Sequence, residues 1–416
     1  VPLGPPPVDV AIVGGGIIGI SCALALLDSG RSVTLVEPNA PGAGTAGGSA
    51  GYLSDGEIFP VAQPAVVRDL PRMLFDRDGP LVIRPEAWPT MLPWGLRFLA
   101  AARPSEVARG TAALAALNRL ALEALIALAT RAGAQRWLVR DGGVHVARDP
   151  HVLAHAASLI PQLAAYGLRA EPVDRAQLLR DEPALAPDIA GGIVYPDSAR
   201  CTDPAAFGAA LAARARADGM RLVRARVSAI VPHDGGWTVR TDGAPVVARS
   251  VVVAAGAWSA PLLAPLGYAV PLRAARGYHL MLPQPGIALQ RTVLFEELHF
   301  CATPMDGGIR LAGTVEFAAP DAPPNPHRAT MLLALAQRYL PALRADGATS
   351  WMGARPAFPD SRPAIEALAR HPGLVVCTGH EKLGLTQAGI SARCVAALIA
   401  RRPPPVDLTP FALTRF

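Results

Sequence analysis

Three glycines and one acid within the first 37 residues carry the clearest chemistry in this chain. Gly14, Gly16 and Gly19 follow the apolar run Val8 to Val13 and open a helical pattern through Ile17 and Ile18. A tight glycine turn at that place lets backbone N–H groups and a helix N-terminus meet a pyrophosphate. A second apolar run, Ser32 to Val36, ends in Glu37, where a carboxylate would take a ribose 2′-hydroxyl. Strand, G-x-G-x-x-G, helix, strand and acid in that order predict an adenine dinucleotide, with a purely structural glycine turn as the plain alternative. The acid disfavours a 2′-phosphate, which leaves NAD or FAD.

Composition narrows the class. The 416 residues are 51% hydrophobic, enough for a large core and for two domains or more. The net charge of +6 comes almost wholly from arginine, since Lys382 is the sole lysine. These arginines are scattered among acids with no basic run, which argues against a nucleic-acid surface. Five cysteines, Cys22, Cys201, Cys301, Cys377 and Cys394, show no C-x-x-C or His-spaced pattern, so neither a disulfide framework nor a metal site is expected. The start has no basic, apolar leader and no uninterrupted apolar run of about 18 residues is evident, which predicts a soluble cytoplasmic protein. Met91 to Leu99 is apolar enough for peripheral contact with the inner face of a bacterial membrane, although a core helix is the preferred reading. Val1 to Pro7, with four prolines, reads as a disordered lead-in.

The elements that must position this chemistry follow from periodicity. Long helical patterns fill much of 60 to 200, notably Pro104 to Ala132, before a strand at Gly143 to Ala147. Asp203 before Pro204 caps a helix to Asp218, and a strand from Arg221 to Val227 resumes the parallel sheet. Turns at Asp234-Gly235-Gly236 and Thr241-Asp242-Gly243 precede a buried strand from Ser250 to Gly256. From 267 to 351 alternating strands predict an antiparallel module, with a hairpin at Asp306-Gly307-Gly308. Gly373 to Thr378 supplies a last strand and Thr386 to Ala400 a last helix. The fold class is therefore α/β, a discontinuous Rossmann-like nucleotide domain (1–58, 200–265 and 352–416) with an inserted α+β substrate domain (59–199 and 266–351) containing an antiparallel sheet.

That plan resembles the FAD-dependent amine and amino-acid oxidoreductases typified by D-amino-acid oxidase, glycine oxidase and D-amino-acid dehydrogenase. The likeness rests on the glycine turn with Glu37, Gly44 to Gly51, Ala254 to Ser259, Gly353-Ala354-Arg355-Pro356 and Gly379 to Thr386. Arg276 to His279 and Thr303 to Phe317 look most like the dehydrogenase branch acting on D-amino acids, including D-proline-like ones. The resemblance implies FAD, held by Gly14, Gly16, Ile17, Ile18, Gly19, Glu37, Thr45, Ser49, Ala50, Gly51, Val227, Ala255, Gly256, Trp258, Arg355, Gly379, Leu383, Gly384, Leu385 and Thr386. Leu383 to Thr386 would open the last helix and present N–H groups to the charge of a reduced flavin. No cysteine stands just before Pro359-Asp360, where sarcosine-oxidase relatives attach the flavin, so the FAD should be noncovalent.

The resemblance also assigns the substrate. Arg355 matches the arginine that binds the carboxylate of an α-amino acid, Tyr278 a tyrosine that reaches the same carboxylate or closes the pocket, and Tyr52 is a further candidate. Hydride would pass from Cα to flavin, giving an imino acid, with no dedicated general base; His279 and His380 read as structural. The electron acceptor stays open among O₂, a quinone and a carrier protein. Two departures add charge near the expected flavin: Glu366, and Glu381-Lys382, which could bias the acceptor or form a solvent-facing ion pair, the preferred reading. A sarcosine or other secondary-amine oxidase, and a non-catalytic flavin-binding interaction subunit, remain as alternatives.

Overall fold

β1 (Val8–Val13) leads through the glycine turn into α1 (Ile17–Asp28), and β2 (Val33–Val36) follows. Far along the chain, α2 (Pro204–Ala217), β3 (Arg221–Val223) and β4 (Val246–Val253) join them. In this computed structural model, which describes residues 8–76 and 79–416, the parallel core of the first sheet runs β3, β2, β1, β4 and then Leu374–Thr378. The Val1 to Pro7 lead-in lies outside the described residues.

Both faces of this sheet are covered, which is why its strands read as unbroken apolar runs. Val10 and Ile12 pack under α1, α2 and the helix Ala388–Ile399, while Ala11 and Val13 pack on Ile230, Val239 and Leu263. Asp203 caps α2 as expected, accepting from the N–H groups of Ala205 and Ala206. A Cβ on Gly19 would lie 1.9 Å from the Gly14 carbonyl oxygen, so the third glycine exists to let α1 touch the turn that precedes it.

Three expected elements differ. The strand expected from Arg221 to Val227 ends at Val223, and Val227 opens an antiparallel hairpin, Val227–His233 with Gly236–Thr241. The strand expected from Ser250 to Gly256 is β4, ending at Val253. Pro104 to Ala132 is two helices, Pro104–Asn118 and Ala121–Ala132, and the break lets Ala113 and Leu117 of the first and Ala121 and Leu125 of the second share one core. By length and composition this stretch is apolar enough to cross a bilayer, with mean hydropathy 1.7 over an 18-residue window, although Arg119 and Glu123 interrupt it. Of that window 56% is buried inside the protein.

The second sheet has nine strands, and its end nearest the first sheet is made by β5 (Arg273–Leu282), β6 (Gly308–Phe317) and β7 (Thr349–Ala357). β5 lies between β7 and β6, antiparallel to both. The Asp306-Gly307 hairpin is present, with Met305 opposite Gly308. The module is mixed rather than antiparallel throughout, because Thr292–Phe295 pairs parallel to Gly143–Ala147 and Leu81–Ile83 parallel to β6. Met91 to Leu99 lies in the helix Trp88–Ala101, which buries Met91, Trp94 and Phe98 yet leaves Trp88, Leu92, Leu96 and Leu99 exposed.

Gly19→Ala puts its methyl against a backbone oxygen that cannot move aside. Thermal unfolding of this variant is expected to show a loss of about 3 kcal/mol; a wild-type melting temperature would remove the close-approach role.

Candidate active site

A cavity of about 670 Å³ opens between the two sheets, within the range of small-molecule and cofactor sites. Gly14, Gly16, Ile17 and Ile18 line one wall. Gly14 holds φ +106°, and Gly16 caps α1 without any side-chain partner. A Cβ on Gly16 would meet nothing within 4 Å, so the turn faces open cavity with helix N–H groups behind it. Glu37 lines the same wall, fixed by the N–H groups of Gly15 (2.7 Å) and Asn39 (2.9 Å). Val227, Ala255, Gly256 and Trp258 complete this half, together with Arg226 and Ser228.

Thr45, Ser49 and Ala50 line the next part, and their loop is tied to the second sheet. Thr45 Oγ1 donates to the Ala354 carbonyl (3.0 Å), Arg310 Nη1 to the Ser49 carbonyl (2.7 Å) and His279 Nδ1 to the Gly48 carbonyl (2.8 Å). Burial and then the nearby Arg310 charge push the His279 pKa down to about 4, so its ring is neutral and structural. His380, buried and bonded through Nε2 to Ser391 Oγ, is lowered to about 3.

Five residues expected to touch the cofactor do not line the cavity. Gly19 serves helix packing. Gly51 and Gly379 hold φ +70° and +86°, and a Cβ on them would strike the Cys201 carbonyl oxygen and the Phe358 ring. Leu383 closes a short turn (Glu381–Leu383) and Thr386 is buried, because the last helix starts at Ala388, not at 383–386. Gly384 and Leu385 do line the cavity.

Arg355 enters from β7. Its Nη1 donates to the Thr314 carbonyl (3.0 Å), and among the described residues no carboxylate lies within 4.0 Å of it. Burial works against its charge, partly offset by Glu381. The guanidinium occupies the space where Gly277 of β5 lacks a side chain; a Cβ there would sit 2.1 Å from Nη2. A charged planar fork with donors to spare, in a cavity wall, suits a carboxylate. Asp360, an alternative partner for it, is instead paired with Arg362 and Arg415.

Tyr278 stands one residue from Gly277 and so on the opposite face of β5. Its hydroxyl donates to Glu316 (2.8 Å) and accepts from the Asn325 N–H (3.0 Å), within a cluster where Arg276 and Arg84 each lie 3.3 Å from Glu316. Tyr278 lines the cavity, but its hydroxyl is already engaged by this ion cluster. Tyr52 does not line the cavity: its hydroxyl bonds Ser198 (3.3 Å) and lies 3.4 Å from His145 Nε2. Glu366 is not beside the flavin site, since it accepts from the Leu413 N–H (2.6 Å) in the C-terminal segment. Lys382 pairs with Glu57 (2.6 Å), not with Glu381. Burial opposes both charges of this pair, yet the partners outweigh it, raising the Lys382 pKa and lowering that of Glu57.

Sequence reasoning missed Gly277, Trp351, Arg310 and Glu57, all far in the chain from the partners that give them meaning. Cys377 lines the cavity as a thiol, its pKa pushed well up by the Cys22 thiol and by burial. Among the described residues no group of three or more ligating side chains could hold a metal.

The comparisons agree with this geometry. A family model described as FAD dependent oxidoreductase matches residues 9–398. A D-amino-acid oxidase of Bradyrhizobium diazoefficiens is 33% identical over 98% of each chain, and a D-amino acid dehydrogenase 2 of Ralstonia nicotianae is 33% identical over 98% of this chain and all of its own. Among solved structures, glycine oxidase from Geobacillus kaustophilus superposes with a TM-score of 0.73 at 25% identity, covering 98% of this chain and 99% of its own. The open glycine turn, the fixed Glu37 and a cavity continuing to the second sheet fit FAD, and the family match agrees: the chain belongs to the FAD-dependent oxidoreductase family.

Proposed function

We propose that the protein oxidises the α-carbon of a small D-amino acid, releasing an imino acid that water hydrolyses, with FAD bound noncovalently. The observation that carries this reading is Arg355: a guanidinium in the cavity wall, held by one carbonyl and paired with no acid. The D configuration is supported by the two relatives named for D-amino acids. Bound FAD supplies a two-electron acceptor for the hydride that leaves Cα.

The chain's own residues do the rest. Arg355 binds the substrate carboxylate as a fork and sets the position of Cα. The Thr45 to Ala50 loop, anchored by Arg310 and His279, holds one side of the cavity rigid. Lys382 and Glu57 close a rim at which 45% of the lysine side chain still reaches solvent. The exposed row Trp88, Leu92, Leu96 and Leu99 supports peripheral contact with a membrane surface, a setting in which a quinone is the acceptor.

Anaerobic addition of D-alanine or D-proline is expected to bleach the yellow holoprotein, whereas L-alanine leaves it yellow. Bleaching by sarcosine alone would favour the secondary-amine reading, and no bleaching by any amine the interaction subunit. Arg355→Leu should lower kcat/KM for the D-amino acid by about 10²- to 10³-fold, chiefly through KM, as removal of one partner of a desolvated charge pair costs. Tyr278→Phe should behave differently: about 1–3 kcal/mol less stable, from loss of the bond to buried Glu316, with KM changed by under about threefold. A tenfold or larger rise in KM with unchanged stability would return Tyr278 to the substrate site.

A further inference from the structure

Glu381 stands out from every other acid of the cavity. It lines the wall beside Arg355 and Lys382, and it makes no hydrogen bond and no ion pair within 4.0 Å among the described residues. Its backbone holds φ +47°, a left-handed conformation that a side chain disfavours and that glycine would adopt freely. Such strain at a cavity wall persists only where surrounding structure enforces it, and it marks positions where the side chain has work to do.

The charges around it leave one vacancy of a definite sign. Lys382 is satisfied by Glu57, and Arg355 awaits a carboxylate. Three charged groups face Glu381: Arg355 from β7, Lys382 beside it, and Glu57 from the loop after Tyr52–Leu53. A carboxylate bound on Arg355 would remove the cation nearest to Glu381 from its balance. An amino-acid zwitterion restores it, because the α-ammonium lies one carbon from the carboxylate that Arg355 holds.

We propose that Glu381 receives the α-ammonium of the amino-acid substrate and takes its proton. The step is a transfer of one proton from the substrate nitrogen to a Glu381 carboxylate oxygen. The nitrogen keeps the N–H electron pair as a lone pair, and that pair forms the C=N bond as the hydride departs from Cα. Burial, opposed by Lys382 and Arg355, raises the Glu381 pKa above the ordinary carboxylate value, which makes it a better acceptor for this proton. The inference rests on the amino-acid reading of the site.

The sign of the pH dependence follows. The wild-type kcat/KM climbs as pH rises through the Glu381 pKa, because only the carboxylate accepts. Glu381→Gln loses that limb and climbs instead through the pKa of the substrate amine, since only substrate already neutral reacts. At neutral pH its kcat/KM is expected to fall about 100-fold, with the deficit shrinking below about tenfold once the free amine predominates. Binding gives a second readout that needs no turnover. Benzoate, a carboxylate without an ammonium, should bind Glu381→Gln several-fold more tightly than wild type, because the negative charge that repels a second carboxylate at Arg355 is gone. Glu381→Gly should raise the melting temperature by a few degrees while losing the same activity, as relief of strain without the acceptor. FAD content checks that each variant is loaded. A Gln variant with wild-type kcat/KM and an unchanged acid limb overturns the proposal, as does benzoate binding that is unaltered. If wild type itself turns over no amino acid, the amino-acid reading has failed instead.

Discussion

The site depends on one irregularity in the second sheet. Arg276 of β5 faces Glu316 of β6, but Tyr278 faces Gly313, so Gly277 stands opposite two residues of β6 instead of one. The extra residue is accommodated by Thr314 at φ +60°, a strained conformation for a β-branched side chain, of the kind that costs about 1–3 kcal/mol. That bulge turns the Thr314 carbonyl onto Arg355, and Gly277 leaves the hole in which the guanidinium rests. Buried Arg276 and Glu316, with Arg84 and Tyr278, bind the two strands on the opposite face. An ion cluster on one side of the sheet thus holds in place the backbone strain that the other side uses.

From this point the two sheets are coupled by a few polar links. Thr45 reaches Ala354 beside Arg355, Arg310 reaches Ser49, and Lys382 reaches Glu57. Thr45 and Arg310 tie the loop of the nucleotide side to the second sheet, and Lys382 and Glu57 join two distant segments beside the cavity, so the cavity is shaped by both sheets. The first sheet provides a turn and a helix end suited to a pyrophosphate, and the second a cation suited to a carboxylate.

The nucleotide half was legible because its signals are local. The spacing of Gly14, Gly16 and Gly19 encodes a turn and a close approach within six residues, and buried parallel strands announce themselves as apolar runs. The substrate half was legible only as strands and one arginine. Strand alternation would place Gly277 and Tyr278 on opposite faces, yet both line the cavity, and the bulge beside them leaves no mark in Gly313-Thr314-Val315. The break between Asn118 and Ala121 has neither proline nor glycine to betray it. Lys382 was noticed, but its partner stands 325 residues away, and only the folded chain brings the two together.

The central claim is that the Gly277 hole places the Arg355 guanidinium for a carboxylate. Gly277→Ala tests it, since the three atoms nearest the added methyl all belong to that guanidinium, at 2.1 to 2.7 Å. The measurement is the Kd of benzoate for FAD-loaded protein, read from the flavin spectrum. A rise of tenfold or more, equal to about 1.4 kcal/mol, with FAD content and melting temperature retained, is the predicted result. An unchanged Kd would show that the carboxylate is held by some other group and would contradict the account.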